Sequence, residues 1–251
     1  MSDQESFISH LIELRARLMR AAAAVLILFV ALFFWPGSGA IYDFLAAPLI
    51  SVMGPDAKLI ATGVVTPFMI PVKVTAVVAF MLALPYVLYQ AWAFVAPGLY
   101  EHEKKLAAPL IFASTLLFFA GVAFCYYFVF GKVFAFIQGF APKSISPMPD
   151  IEAYFNFVLT MFIAFGVTFE IPIVVILLVR MGVVSVAKLA DARPYVIVGA
   201  FIVAAVVTPP DVVSQFMLAV PMCILYEAGL IFSRFMGPPK SVPQDSTDPA
   251  H

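Results

Sequence analysis

Residues 92–105 read WAFVAPGLYEHEKK. An apolar segment closes here in aromatics and Pro97-Gly98, a knot of charge follows at Glu101-His102-Glu103-Lys104-Lys105, and a second apolar segment begins directly after it. A charged hinge between two long apolar runs is the signature of a chain that crosses a bilayer, turns and crosses back. The composition agrees: 63% of the 251 residues are hydrophobic and 12% are charged, about half the charge of a soluble domain. Mean hydropathy is +1.04. The net charge of −1 says little by itself, because topology depends on where Lys and Arg sit.

Working outward from the hinge gives an all-α polytopic membrane protein with six spans. Residues 1–17 form an amphipathic interfacial helix, with Phe7, Leu11, Leu14 and Leu18 on one face and His10, Glu13, Arg17 and Arg20 on another. It feeds a first span over 18–35 that Pro36-Gly37 stop. Residues 36–71 are expected not to span, with a short interfacial helix over 41–53, because Pro48, Pro55, Pro67 and Pro71 punctuate them. A second span covers 72–94 with a kink at Pro85, a third 109–136, and a fourth 153–181 with Glu170 and Pro172 inside it. The fifth, 194–207, has about 14 residues and reaches about 21 Å. The turn Thr208-Pro209-Pro210-Asp211 leads into a sixth that ends near Phe235, and both of these last spans are expected to be short. Residues 1–236 make one membrane domain and 237–251 a disordered tail.

Six spans put both termini on one side. That side carries Arg15, Arg17, Arg20, Lys104, Lys105, Arg180, Lys188, Arg193, Arg234 and Lys240, against Lys58, Lys73, Lys132 and Lys143 opposite. The excess assigns the termini and the 101–105 cluster to the cytoplasm. Cys125 and Cys223 lie in apolar runs without CxxC spacing and read as packing residues.

No HExxH, GxSxG or Walker A motif is present, so no metal site, cofactor or catalytic apparatus is expected. Glu101 and Glu103 carry two readings. They form a solvated loop with Glu101 paired to Lys105, or they accept a guanidinium, whose planar fork matches a carboxylate. Glu13 is an ordinary surface partner of Arg17 or a third acid beside the same cationic ligand. Glu170 lies where a carboxylate is costly, as a neutral hydrogen-bonding anchor, a partner of Gln215 or another polar group, or a group reached through a water-filled recess. Asp211 is placed to cap the sixth span. A proton- or ion-coupled transporter using Glu170 and Asp211 is a rival, but the halves show no internal repeat and no paired broken helices. A purely structural scaffold is a third possibility.

The motifs HLIELRARL (10–18), APL (47–49), TPF (66–68), LYQAWAFVAPGLYEHEKK (88–105), AFGVTFEIP (164–172), RPYVIVGAF (193–201), TPPDVVSQ (208–215) and SRF (233–235) resemble, in the same order, those of the TatC family. This family forms the receptor subunit of the twin-arginine protein translocase. The resemblance implies a bacterial inner-membrane protein that binds twin-arginine signal peptides of folded cargo. It further implies assembly with the single-span subunits TatA and TatB and with other copies of itself, and export driven by the proton-motive force. By motif match, Phe94 and Glu103 form the main signal-binding pair and Glu13 contributes. Glu101 is auxiliary, Glu170 and Gln215 are the intramembrane polar residues, and Asp211 and Pro48 belong to capping or partner contact.

Overall fold

The computed structural model describes residues 2–53, 59–95, 107–140, 148–208 and 210–235. Within them the chain is helical, with one isolated bridge. Helix α1 (Ser2–Leu32) runs without interruption through the amphipathic stretch into the first span. The amphipathic stretch expected over 1–17 feeds straight into the first span, and the two form one helix. Its 31 residues reach about 46 Å, longer than a bilayer core of about 30 Å, so one end projects or the helix tilts.

A π-turn over Phe33–Gly37 with extended backbone at Trp35 separates α1 from α2 (Ser38–Met53). The stop expected at Pro36-Gly37 thus holds, and helix resumes at once. Far from lying free at the interface, α2 buries Ile41, Leu45, Ala46 and Leu49 in the core. Helix α3 (Thr66–Val95) starts earlier than expected. Pro67 sits in its first turn, where a missing N–H costs nothing, and the helix continues through Pro71 and Pro85.

The third crossing is α4 (Ala107–Phe124) and α5 (Phe130–Gly139), joined by a π-turn at Cys125–Val129. The fourth is α6 (Ile151–Phe169) and α7 (Ile171–Arg180), broken at Glu170. Short α8 (Val186–Asp191) precedes α9 (Arg193–Val207) and α10 (Val212–Phe235). Five helical stretches are long and apolar enough to cross a membrane, and α9 is a shorter apolar helix. With 15 residues, α9 reaches about 22 Å. The sixth crossing is not short: α10 has 24 residues and carries Pro221 inside it without ending there, about 36 Å in all. The proline does not stop it, because a helix packed among neighbours tolerates one lost bond.

The core lies between α2, α3, α5, α6 and α10, around the fully buried Phe130, Phe155, Phe165, Met161 and Leu218. A smaller cluster of Val175, Tyr226 and Leu230 seats α7 on α10. Side chains such as Phe112, Tyr195, Val206 and Phe235 point outward and are exposed, which suits a lipid surround. Glycines set the closest seams. A Cβ on Gly121 would lie 2.5 Å from the Phe165 carbonyl oxygen and 2.9 Å from the Phe169 ring. A Cβ on Gly229 would lie 2.9 Å from Pro172 Cα.

At the end of the bundle where α3 and α6 begin, Asp150 is a hub. One carboxylate oxygen caps α6 through the N–H groups of Glu152 (3.0 Å) and Ala153 (3.1 Å). The other accepts from the Thr62 hydroxyl (2.9 Å) and N–H (3.2 Å). Ile60 bridges alongside it, its N–H donating to the Pro149 carbonyl at 3.1 Å and its carbonyl accepting from Ile151 at 2.8 Å.

Two outcomes follow. Gly121→Ala lowers stability by about 1–3 kcal/mol through overpacking, whereas Gly199→Ala, with nothing within 4 Å, is neutral or gains up to about 1 kcal/mol; thermal midpoints in detergent compare them. The Asp150 carboxyl is held below its ordinary 3.8 chiefly by the Ala153 N–H and then by Thr62. A depressed folded value gives stability that is fully present above the unfolded value and is lost as pH falls through the folded one. The stability difference between wild type and Asp150→Asn, which keeps a capping side chain, is therefore level above about pH 5 and shrinks below 3.8.

Candidate functional site

Helices α1 and α3 run past each other in opposite directions, so the start of one meets the end of the other. Here the His10 ring stacks on Phe94, centroids 4.4 Å apart and planes 23° from parallel. One turn along α1, Glu13 Oε2 lies 3.9 Å from His10 Nδ1. Glu13 Oε1 accepts both Arg17 Nε (2.9 Å) and Arg17 Nη2 (2.5 Å). The i,i+4 pair expected from sequence forms, and it uses one oxygen only. The other carboxylate oxygen faces the imidazole stacked on Phe94. The structure thus brings Glu13 and Phe94 into one constellation and adds His10 as the link. Glu101 and Glu103 lie outside the described residues, in the segment that continues from the end of α3.

Glu170 marks the break in the fourth crossing. Pro172 has no N–H to give Thr168, so the helical bond ladder fails at that point. The Glu170 N–H bonds Val167 at 3.0 Å and its carbonyl accepts from Val174 at 3.0 Å, which starts α7. Its carboxylate Oε2 accepts a hydrogen bond from the Ser114 hydroxyl of α4. Among the described residues, Oε1 is buried and has no hydrogen-bond partner. Gln215 is not the partner. It lies in the first turn of α10, whereas the part of α10 packed against Pro172 is at Gly229, about 21 Å farther along the axis.

Asp211 Oδ1 accepts from the Ser214 N–H at 2.7 Å, an N-cap contact for α10. Gln215 bonds Asp211 through the backbone at 3.3 Å. Pro48 lies inside α2, and its carbonyl accepts from Ser51 Oγ at 2.8 Å. Where α9 begins, Arg193 grips Glu227 through Nε (2.5 Å) and Nη2 (2.9 Å). Tyr226 donates to the Leu189 carbonyl at 2.7 Å. The first contact ties the short fifth crossing to the sixth, and the second ties α8 to it.

A cavity of about 750 Å³ opens between the α1–α2 elbow, α3 and α4, lined by Leu32, Pro36, Phe44, Met81, Phe119 and Tyr126 among others. Its lining carries no charged residue. Among the described residues, no three His, Cys, Asp or Glu side chains cluster to hold a metal.

Sequence reasoning missed three partners: Ser114, the His10 stack, and the Arg193–Glu227 pair. Ser114 sits in a segment apolar on all sides, which gives no face to read. His10 was read as part of the polar face of the first helix, with no aromatic partner assigned to it. The Arg193–Glu227 pair joins positions remote in sequence, and only the antiparallel packing of α9 on α10 brings them together.

The sequence profile described as Sec-independent protein translocase protein (TatC) matches residues 9–221. A protein of that name from Haemophilus influenzae is 50% identical over 238 residues, 95% of this chain and 92% of the relative. The Escherichia coli K12 protein is 46% identical over 235 residues, 94% and 90% respectively. A crystal structure described as the twin-arginine translocase receptor TatC superposes with a TM-score of 0.78 at 36% identity, covering 90% of this chain and 98% of that one.

Removing the Ser114 hydroxyl leaves the Glu170 carboxylate without a described partner. Ser114→Ala costs about 1–3 kcal/mol. A double-mutant cycle of Ser114→Ala with Glu170→Leu is expected to show coupling of about 0.5–3 kcal/mol in thermal unfolding, and additivity within about 0.5 kcal/mol contradicts the pairing.

Proposed function

The chain belongs to the TatC family of Sec-independent protein translocase components, and from that premise we propose that it captures twin-arginine signal peptides of folded cargo at the α1–α3 end. The observation that carries the reading is the convergence of Glu13, His10 and Phe94 there. Arg17 supports it: a guanidinium already sits on Glu13 Oε1, so this carboxylate is positioned for the group a signal peptide would present. Oε2 remains for a second one.

In this reading Glu103, carried on the segment that follows α3, accepts one signal arginine bidentately. Glu13 takes the other, Glu101 adds negative charge, and Phe94 packs against arginine stems or apolar signal residues. A guanidinium presents a planar fork and an ammonium does not, so the site selects Arg over Lys by geometry at equal charge. The termini and the capture site face the cytoplasm of a bacterial inner membrane, by the Lys and Arg asymmetry.

Export then proceeds with partners. The short α9 thins the bilayer locally, and α9 with α10 offers a docking face to the single-span subunits TatA and TatB and to further copies of this chain. The Glu170 break gives the apolar part of the signal a polar end point inside the membrane, and the proton-motive force drives passage. The chain is a transport component, and catalysis forms no part of this reading.

Loss of one charge-assisted contact costs about 1.5–3 kcal/mol, roughly ten- to a hundredfold in binding. Signal-peptide crosslinking to Glu103→Ala is expected to fall by that factor, and to Glu101→Ala only slightly. Wild-type crosslinking in both variants rejects the assignment.

A further inference from the structure

We propose that the notch between the first turns of α3 and α6 is a binding site for a phospholipid whose head group carries a primary ammonium beside its phosphate, a phosphoethanolamine head. The notch is a cavity of about 370 Å³ whose lining includes Thr66, Met69, Ile70, Lys73, Ala76 and Glu152. That volume lies within the range of about 300–1,000 Å³ usual for small-ligand sites. It lies at the opposite end of the bundle from the capture site, where α3 and α6 begin.

One cation and one anion share this cavity without neutralising each other. Among the described residues, Lys73 and Glu152 make no ion pair, and the Glu152 carboxylate has no hydrogen-bond partner. Lys73 Nζ is fixed by Asn156 Oδ1 at 2.5 Å. An ammonium has three donors, so two remain for an anion. Separated, unpaired charges of opposite sign across an apolar-walled notch complement a zwitterion: phosphate oxygens against Lys73, and the primary ammonium against Glu152.

The depth is right for a lipid. Lys73 lies seven residues after the first residue of α3, about 10 Å along a helix of about 45 Å whose length exceeds the bilayer core of about 30 Å. A lysine there runs its stem along apolar surface and holds its charge at the head-group level. Glu152 is in the first turn of α6, and Met69, Ile70 and Ala76 offer apolar walls where acyl chains begin. The ammonium explains selectivity. It donates hydrogen bonds to a carboxylate, whereas a trimethylated choline has no N–H to donate and a glycerol head has no positive charge.

The full chain in detergent is exposed to equal amounts of phosphatidylethanolamine, phosphatidylcholine and phosphatidylglycerol with identical acyl chains, and retained lipid is read by native mass spectrometry. Phosphatidylethanolamine is expected to be retained about tenfold over both others, the value of one charge-assisted contact. Glu152→Gln, at an exposed position, abolishes its preference over phosphatidylglycerol. Lys73→Met lowers retention of both phosphatidylethanolamine and phosphatidylglycerol. Equal retention of all three lipids by the wild type overturns the proposal. So does a preference for phosphatidylglycerol, or an unchanged pattern in Glu152→Gln. An arm with soluble phosphoethanolamine separates the sources: if it displaces the lipid at equal concentration, the ligand is a free zwitterion and the lipid assignment fails.

Discussion

The stacking of His10 on Phe94 is the contact on which the capture site depends. It joins the start of α1 to the end of α3, with Glu13, its ring-facing oxygen and its Arg17 partner beside it. Helices in lipid gain no hydrophobic driving force from meeting each other, and packing and polar contacts must hold them together. An aromatic pair of this kind contributes about 0.5–1.5 kcal/mol beyond its buried area. It adds to the packing of α1 along α3, and recognition of a guanidinium by geometry needs a fixed register.

The same economy of polar contacts recurs deeper in the bundle. Pro172 removes one backbone bond, the fourth crossing breaks at Glu170, and Ser114 supplies the hydrogen bond that the carboxylate takes from a neighbouring helix. Arg193 with Glu227 fastens the short α9 to the long α10. At the opposite end Asp150 both caps α6 and holds the chain that leads into α3. Each of these side chains joins two elements, so a chain with few charged residues uses them as joints between apolar helices.

Much of this was legible in the sequence because lipid demands long apolar runs and punishes irregular backbone. The crossings, the stop at Pro36-Gly37 and the Asp211 cap at the start of α10 follow from residue type and position, whereas the fourth crossing was read as one span and breaks at Glu170. The first helix was read as an amphipathic stretch feeding straight into a span, and with no cap or breaker between the two it is continuous. The sixth crossing was expected to be short, yet the bounds expected for it, from the Thr208–Asp211 turn to near Phe235, are those of the 24-residue α10. What sequence pattern could not supply was pairing between remote helices. In helices apolar all round, nothing marks which face meets which, so Ser114 was invisible as the partner of Glu170, and Gln215 was offered in its place.

The central claim is that two adjacent guanidinium groups are selected by shape at the α1–α3 end. The most direct measurement places a photocrosslinking residue at position 94 and compares a signal peptide carrying Arg-Arg with its Lys-Lys counterpart of equal charge. The account predicts strong capture of the first and roughly ten- to a hundredfold less of the second. Equal capture of both peptides, or of neither, contradicts it.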